Sequence, residues 1–209
     1  MKTIVKFLSF MMMVVLLCQC EKEPTLIDIP DGSFLNALIN LGADTDGDGR
    51  ISPAEAEVIT YLDISKKNIS DLKGIEAFIN VDTLLCYRNQ LTTLDVSNNV
   101  ELNWLSCCPD QLTTLDVSGN TSLEYLFCFD NRLSGLDVSS NVALIRLDCS
   151  QNQITTLDIS QNTSLEQLYI TDMPSLNLVC VWTLPFPPSG LITYTTGSPN
   201  ISYTGSCGK

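Results

Sequence analysis

The sequence predicts a mainly β protein built as a parallel solenoid of about five coils, with a small α-helical cap at the N-terminal end and a disulfide-stapled β cap at the C-terminal end. Two sets of residues carry the expectation. Leu94-Asp95-Val96, Leu115-Asp116-Val117, Leu136-Asp137-Val138 and Leu157-Asp158-Ile159 stand 21 residues apart, and Cys86, Cys107, Cys128 and Cys149 keep the same period. Within each period, short runs alternate apolar and polar residues, which is the pattern of strands with one buried face. A unit this short cannot bury its own apolar side, so successive coils must stack and share one core. The hydrophobic content of 44% suits that core.

Composition narrows the function before any motif is read. The 209 residues hold 11 Lys+Arg against 24 Asp+Glu and no His, a formal charge of −13. Binding a phosphate backbone needs a basic face, so nucleic acid is excluded as a partner. The missing histidine removes the commonest general base and zinc ligand, and with it Ser-His-Asp and Cys-His catalysis. Only carboxylate or lysine chemistry stays open to an enzyme.

The N-terminal segment, 1–20, has Lys2 and Lys6 ahead of an apolar run from Phe7 to Leu17. These are the charged and apolar regions of a secretory signal, and the run is too short to span a bilayer. Leu17-Cys18-Gln19-Cys20 resembles the lipobox of bacterial lipoproteins, which implies lipidation of Cys20, a membrane contact through that anchor, and an outer-membrane or cell-surface location. Gln19 departs from the small residue that family prefers. Cys18 and a plain cleaved secretory peptide are the alternatives. Residues 21–31, with Pro24 and Pro30, read as a linker.

Residues 32–61 read as a cap. Phe34, Leu35, Leu38, Ile39 and Leu41 recur at helical spacing and stop at Gly42. Asp44-Thr45-Asp46-Gly47-Asp48-Gly49-Arg50-Ile51-Ser52-Pro53-Ala54-Glu55 follows. It resembles the EF-hand calcium loop, with carboxylates at positions one, three, five and twelve, glycine at six and a hydroxyl at nine. Ca2+ takes six to eight hard oxygens, so alternate side chains of a tight loop must converge. The resemblance implies ligands from Asp44, Asp46, Asp48, the Arg50 carbonyl, Ser52 and Glu55. Ser52, Pro53 and Glu55 also read as N-cap, first helical residue and capping-box partner, so an acidic turn ahead of a helix is the alternative.

Residues 62–179 form the repeat region. Each unit splits in two, as in Leu102-x-x-Leu105-x-Cys107-x-x-Asp110 followed by Leu112-x-x-Leu115-x-Val117-x-x-Asn120. Both halves resemble the leucine-rich repeat in a short, nested form. Pro109 and Asp110 depart from the pattern. One set of outward positions barely varies, with Asp95, Asp116, Asp137 and Asp158 flanked by Ser and mostly Thr. Stacked carboxylates at about 4.8 Å repel by about 0.9 kcal/mol per neighbour, so flanking hydroxyls should offset them; a row of cation sites is the alternative. The other set varies and carries Tyr87, Trp104, Tyr125, Phe127, Phe129, Arg146, Asp148 and Tyr169. Clustered outward aromatics mark a recognition patch, unless they pack on the N-terminal helix, a terminal loop or one another.

Cys86, Cys107, Cys128 and Cys149 fall at inward positions and read as buried free thiols. Cys108 points outward. Residues 180–209 read as the C-terminal cap, where alternation over 191–194 and 201–203 suggests a hairpin and a Cys180–Cys207 disulfide would staple it. The functional expectation is a non-enzymatic, lipid-anchored surface protein. The repeat resemblance implies recognition of an extracellular or host protein. A glycan-binding component of an outer-membrane polysaccharide uptake system is the alternative, and a carboxylate hydrolase using Asp148 or a purely structural role are further ones.

Overall fold

The computed structural model describes residues 26–205. The expected signal segment with Cys18 and Cys20, and the expected disulfide partner Cys207, lie outside the described residues. Helix α1 (Gly32–Asn40) begins at Asp31, whose Oδ1 accepts the N–H groups of Ser33 and Phe34 at 2.8 and 3.0 Å. Its Oδ2 accepts from the Ser70 N–H, the Ser70 hydroxyl and the Asp71 N–H. One carboxylate therefore both caps the helix and ties it to the first coil. Burial works to raise the Asp31 pKa, but these hydrogen bonds outweigh it and lower it. Phe34, Ala37 and Leu38 face the core, where Phe34 meets Phe78 at 6.4 Å between centroids. Helix α2 (Pro53–Ala56) has the expected capping box between Ser52 and Glu55.

Among the described residues ten three-residue strands follow: β1 (Tyr61–Asp63), β2 (Thr83–Leu85), β3 (Trp104–Ser106), β4 (Tyr125–Phe127), β5 (Arg146–Asp148), β6 (Thr156–Asp158), β7 (Gln167–Tyr169), β8 (Leu178–Cys180), β9 (Ile192–Tyr194) and β10 (Ser202–Thr204). The larger wall is a seven-stranded parallel sheet, β1-β2-β3-β4-β5-β7-β9. The smaller wall pairs β10-β8-β6, extended by a bridge from Asp137 to Asp158. Leu84, Leu105, Leu126, Leu147 and Leu168 line one side of the core, each 0% exposed, against Val96, Val117, Val138 and Ile159 from the other wall. This is the leucine-rich-repeat solenoid, with seven coils rather than about five. The extra coils lie at the ends, where the spacing drifts: Tyr61 pairs with Thr83 and Gln167 with Ile192, offsets of 22 and 25 residues.

The C-terminal segment is not a hairpin. Strand β9 pairs in parallel with β7, and β10 in parallel with β8, so each wall simply gains a strand. Alternation shows which side chains face the core but not which neighbour a strand joins. Trp182, Phe186 and Tyr203 pack on this end, with Trp182–Phe186 edge to face at 5.9 Å and Phe186–Tyr203 at 4.7 Å. Cys180 is disulfide-bonded.

Two asparagine ladders brace the corners. Asn120, Asn141 and Asn162 are fully buried and donate to carbonyls of the preceding coil, as from Asn141 to Val117 O and Asn120 O at 2.9 and 2.8 Å. On the other corner Asn89, Asn131 and Asn152 donate in the same way and accept an N–H through their side-chain oxygen. Asp110 occupies the equivalent place in its coil. Its Oδ1 accepts the Leu91 N–H at 3.1 Å, but its buried Oδ2 has no partner, because a carboxylate cannot donate where the asparagines do. Burial raises its pKa to about 6, against the N–H groups of Leu91 and Asn89.

Candidate functional site

The larger wall carries the variable outward residues. Register places Thr83, Trp104, Tyr125, Arg146 and Gln167 in one ladder, and Leu85, Ser106, Phe127, Asp148 and Tyr169 in the next. The aromatics do not stand free of one another. Trp104 stacks on Tyr125 at 4.5 Å and leans on Phe127 at 5.2 Å. The Arg146 guanidinium lies 4.9 Å from the Phe127 centroid and 4.6 Å from that of Tyr169, and Tyr169 stacks on Tyr194 at 4.2 Å. The result is a continuous run of rings and one cation across β3, β4, β5, β7 and β9. Each such contact adds about 0.5–1.5 kcal/mol beyond burial, so the face is stiffened before anything docks.

Asp148 is half-buried beside Arg146. Burial raises its pKa, while hydrogen bonds from Ser150 and the charge of Arg146 pull the other way. Tyr87 stands apart from the run, with the Lys66 ammonium 5.4 Å from its ring centroid. Between Tyr87 and Phe129 the wall dips into a groove of about 620 Å3, lined among others by Leu85, Trp104, Ser106 and Phe127. Cys108 belongs to its floor and is 2% exposed. This outward position two residues past β3 is thus buried at the bottom of the groove, and burial pushes the thiol up to about 12, well out of thiolate range. Cys86, Cys107, Cys128 and Cys149 are free and buried, and desolvation raises all four. Tyr194 and Lys66 escaped the sequence reading; the alternation over 191–194 was the available signal for the first.

The smaller wall differs in kind. Asp95, Asp116, Asp137 and Asp158 each accept the N–H of the serine two residues on, at 2.9–3.0 Å. Serine hydroxyls and N–H groups lower the pKa of Asp95 and Asp116. Backbone N–H groups therefore join the hydroxyls in holding the stacked carboxylates. This wall also has a groove, about 780 Å3, with Asp71, Glu76, Asp95 and Asp116 in its lining.

In the acidic loop, Asp44 gathers the N–H groups of Gly47, Asp48 and Gly49 at 2.8–3.1 Å, and Asp46 and Asp48 accept from Asp48 and Arg50. Gly47 and Gly49 take positive φ, which closes the bend. One oxygen from each of the three aspartates falls within 4.8 Å of the others. Glu55 is placed differently. Its Oε1 accepts from the Thr45 N–H and hydroxyl, and its Oε2 from the Ser52 N–H and hydroxyl, at 2.7–2.9 Å. Those donors, Ser52 N–H foremost, hold its pKa down to about 2. The donor set is hard oxygen throughout, which fits Ca2+. Three aspartates converge, while Glu55 spans the loop as a brace with both oxygens already engaged.

No family model matches the chain, and no curated protein does. Among solved structures, the functional domain of InlJ from Listeria monocytogenes, described as including a cysteine ladder, is 32% identical over 75% of this chain with a TM-score of 0.64. The chain spans 39% of that structure's length. In this chain Cys86, Cys107, Cys128 and Cys149 recur every 21 residues and are buried and free. An internalin, InlF, of the same species is 20% identical, covering 84% of this chain and 71% of that one, with a TM-score of 0.48. A leucine-rich-repeat protein of Leptospira interrogans is 18% identical over 73% of this chain and 44% of that one, also at 0.48. Among the described residues no helix is long and apolar enough to cross a membrane.

Proposed function

We propose that this chain is a non-enzymatic binding module that presents the larger wall of its solenoid to an extracellular or host protein. The observation that carries the reading is the contrast between the walls. One is uniform and its carboxylates are engaged with their own backbone, while the other is varied and aromatic. Tyr and Trp on a pre-stiffened face lose little side-chain entropy on docking and are common interface anchors. Similarity to the InlJ domain agrees with such a module.

Two further parts complete the proposal. Cys20 carries a lipid anchor that holds the module at the cell surface or outer membrane. Asp44, Asp46, Asp48 and the Arg50 carbonyl would hold Ca2+, with Ser52 and Glu55 bracing the loop or closing the sphere. The ion would neutralise the clustered carboxylates beside α1 and α2 and so stiffen the cap. A Cys180–Cys207 bond staples the other end.

An array of extracellular-matrix proteins and polysaccharides, probed with and without chelator, tests this reading. Binding to a protein that is lost on Trp104→Ala supports it. Binding to glycans alone would move the molecule to polysaccharide capture. Melting with and without Ca2+ tests the loop: an unchanged Tm would remove the metal from the account.

A further inference from the structure

The groove on the larger wall has a specific origin. In the ladder Leu85–Ser106–Phe127 and in the positions two residues further on, Tyr87, Cys108 and Phe129, the middle coil supplies only a hydroxyl and a thiol. The coils on either side supply large apolar groups. Strands lie about 4.8 Å apart, so the flanking walls stand about 9.6 Å apart centre to centre. Atomic contact needs about 3.5–4 Å on each side, which leaves space for one flat ring between them. Trp104 closes one end and is fixed there by Tyr125 and Phe127.

Charge at the rim selects among flat groups. Lys66 and Arg88 stand exposed at the rim of the slot with Asp130 as the one acidic residue in its lining, while the half-buried Asp110 and Asp148 also act on the Cys108 thiol of its floor. The whole chain carries −13. The exposed rim thus carries more positive than negative side chains on an acidic molecule and favours negative charge next to the ring. Its walls are apolar and its floor offers one hydroxyl and one thiol, a poor match for a sugar ring with several hydroxyls to satisfy.

The geometry points to an anchor site for a single aromatic side chain carried on an acidic segment of a partner protein, seated over Ser106 and Cys108 between Tyr87 and Phe129. The inference rests on the protein-binding reading and sharpens it to one contact.

Synthetic peptides test it on the whole chain without knowing the partner. The probes are Glu-Glu-Tyr-Glu-Glu, Glu-Glu-Ala-Glu-Glu and Lys-Lys-Tyr-Lys-Lys, with methyl β-glucoside beside them, read by amide chemical shifts of Ser106 and Phe129. The acidic tyrosine peptide should shift these resonances with an affinity about tenfold or more above the alanine and lysine versions. Ser106→Phe, which continues the ladder of Phe127, should abolish the shifts while Tm stays within a few degrees. Phe129→Ala should weaken them by removing one wall. Equal response to the alanine or lysine peptide, tighter response to the glucoside, or binding unchanged in both variants would overturn the anchor. A protein captured on the array whose binding ignores Ser106→Phe would leave the module reading standing and remove only this site.

Discussion

The two walls of the solenoid share one core and answer to different constraints. Inside, both are built from leucine, valine, isoleucine and cysteine at 0–9% exposure, so neither wall can change there without opening a cavity in the other. Outside, the smaller wall repeats Asp-x-Ser because each aspartate closes a turn onto the serine N–H. Its uniformity has a local structural cause. The larger wall makes that turn at Asp63 and Asp148, onto Ser65 and Ser150, and elsewhere its outward residues differ from coil to coil. Repetition therefore marks what the fold needs, and variation marks where the surface is free to be used.

The largest effect should come from breaking what the walls share. Leu126→Ala should cost about 2–5 kcal/mol, read by denaturant unfolding, because it empties a site between stacked coils. A loss below about 1 kcal/mol would mean the coils do not share a continuous core. Next comes the corner where the asparagine ladder is interrupted. Asp110→Asn should stabilise the protein by about 1–3 kcal/mol above pH 7 by giving the orphaned position a donor. The sign with pH follows from a carboxyl whose pKa is higher folded, about 6, than its ordinary 3.8. Between those values the folded chain holds more protons than the unfolded one, so native stability falls as pH rises through the window. The variant should remove that slope, and its advantage should shrink as pH falls below about 5. Thiols of Cys86, Cys107 and Cys108 face Asp110, and with pKa values raised by burial they stay neutral there.

Glu55 gives the opposite slope. Its pKa is depressed from 4.5 to about 2, so its contribution is complete above the higher value and fades as pH falls toward the lower. Glu55→Gln should flatten the acid limb of the stability profile between about pH 5 and 2, and an unchanged limb would show that the brace to Thr45 and Ser52 contributes nothing. Smallest is the effect within one wall. Asp116→Ala should lower the unfolding midpoint only slightly and leave binding unaltered, since it removes a turn hydrogen bond and one of four stacked charges.

Much of this was legible in the sequence, for a physical reason. A stacked coil must place an apolar residue at the same depth each time, so Leu84, Leu105, Leu126 and Leu147 announce themselves by spacing. The ends were less legible because loop length drifts while strand geometry does not, which left the first coil, with Ile59, Leu62, Ile64 and Asn68, a weaker match and turned β9 and β10 into a supposed hairpin. Lateral contact was legible only as the alternative that the outward aromatics pack on one another, which Trp104, Tyr125 and Phe127 do. Period gives the direction of a side chain but not what leans on it, so neither the burial of Cys108 nor Arg146 between Phe127 and Tyr169 could be read beforehand. The loop from Asp44 to Glu55 was legible as a motif, while the engagement of Glu55 by Thr45 depends on backbone path.

The most direct test of the comparison sets the walls against each other in one binding experiment. Trp104→Ala and Asp116→Ala would be measured in parallel against a protein captured on the array, with unfolding curves confirming that both stay folded. The account predicts that Trp104→Ala weakens binding by about tenfold or more while Asp116→Ala matches the parent chain. Equal loss in both, or loss only in Asp116→Ala, would place recognition on the acidic wall and contradict it.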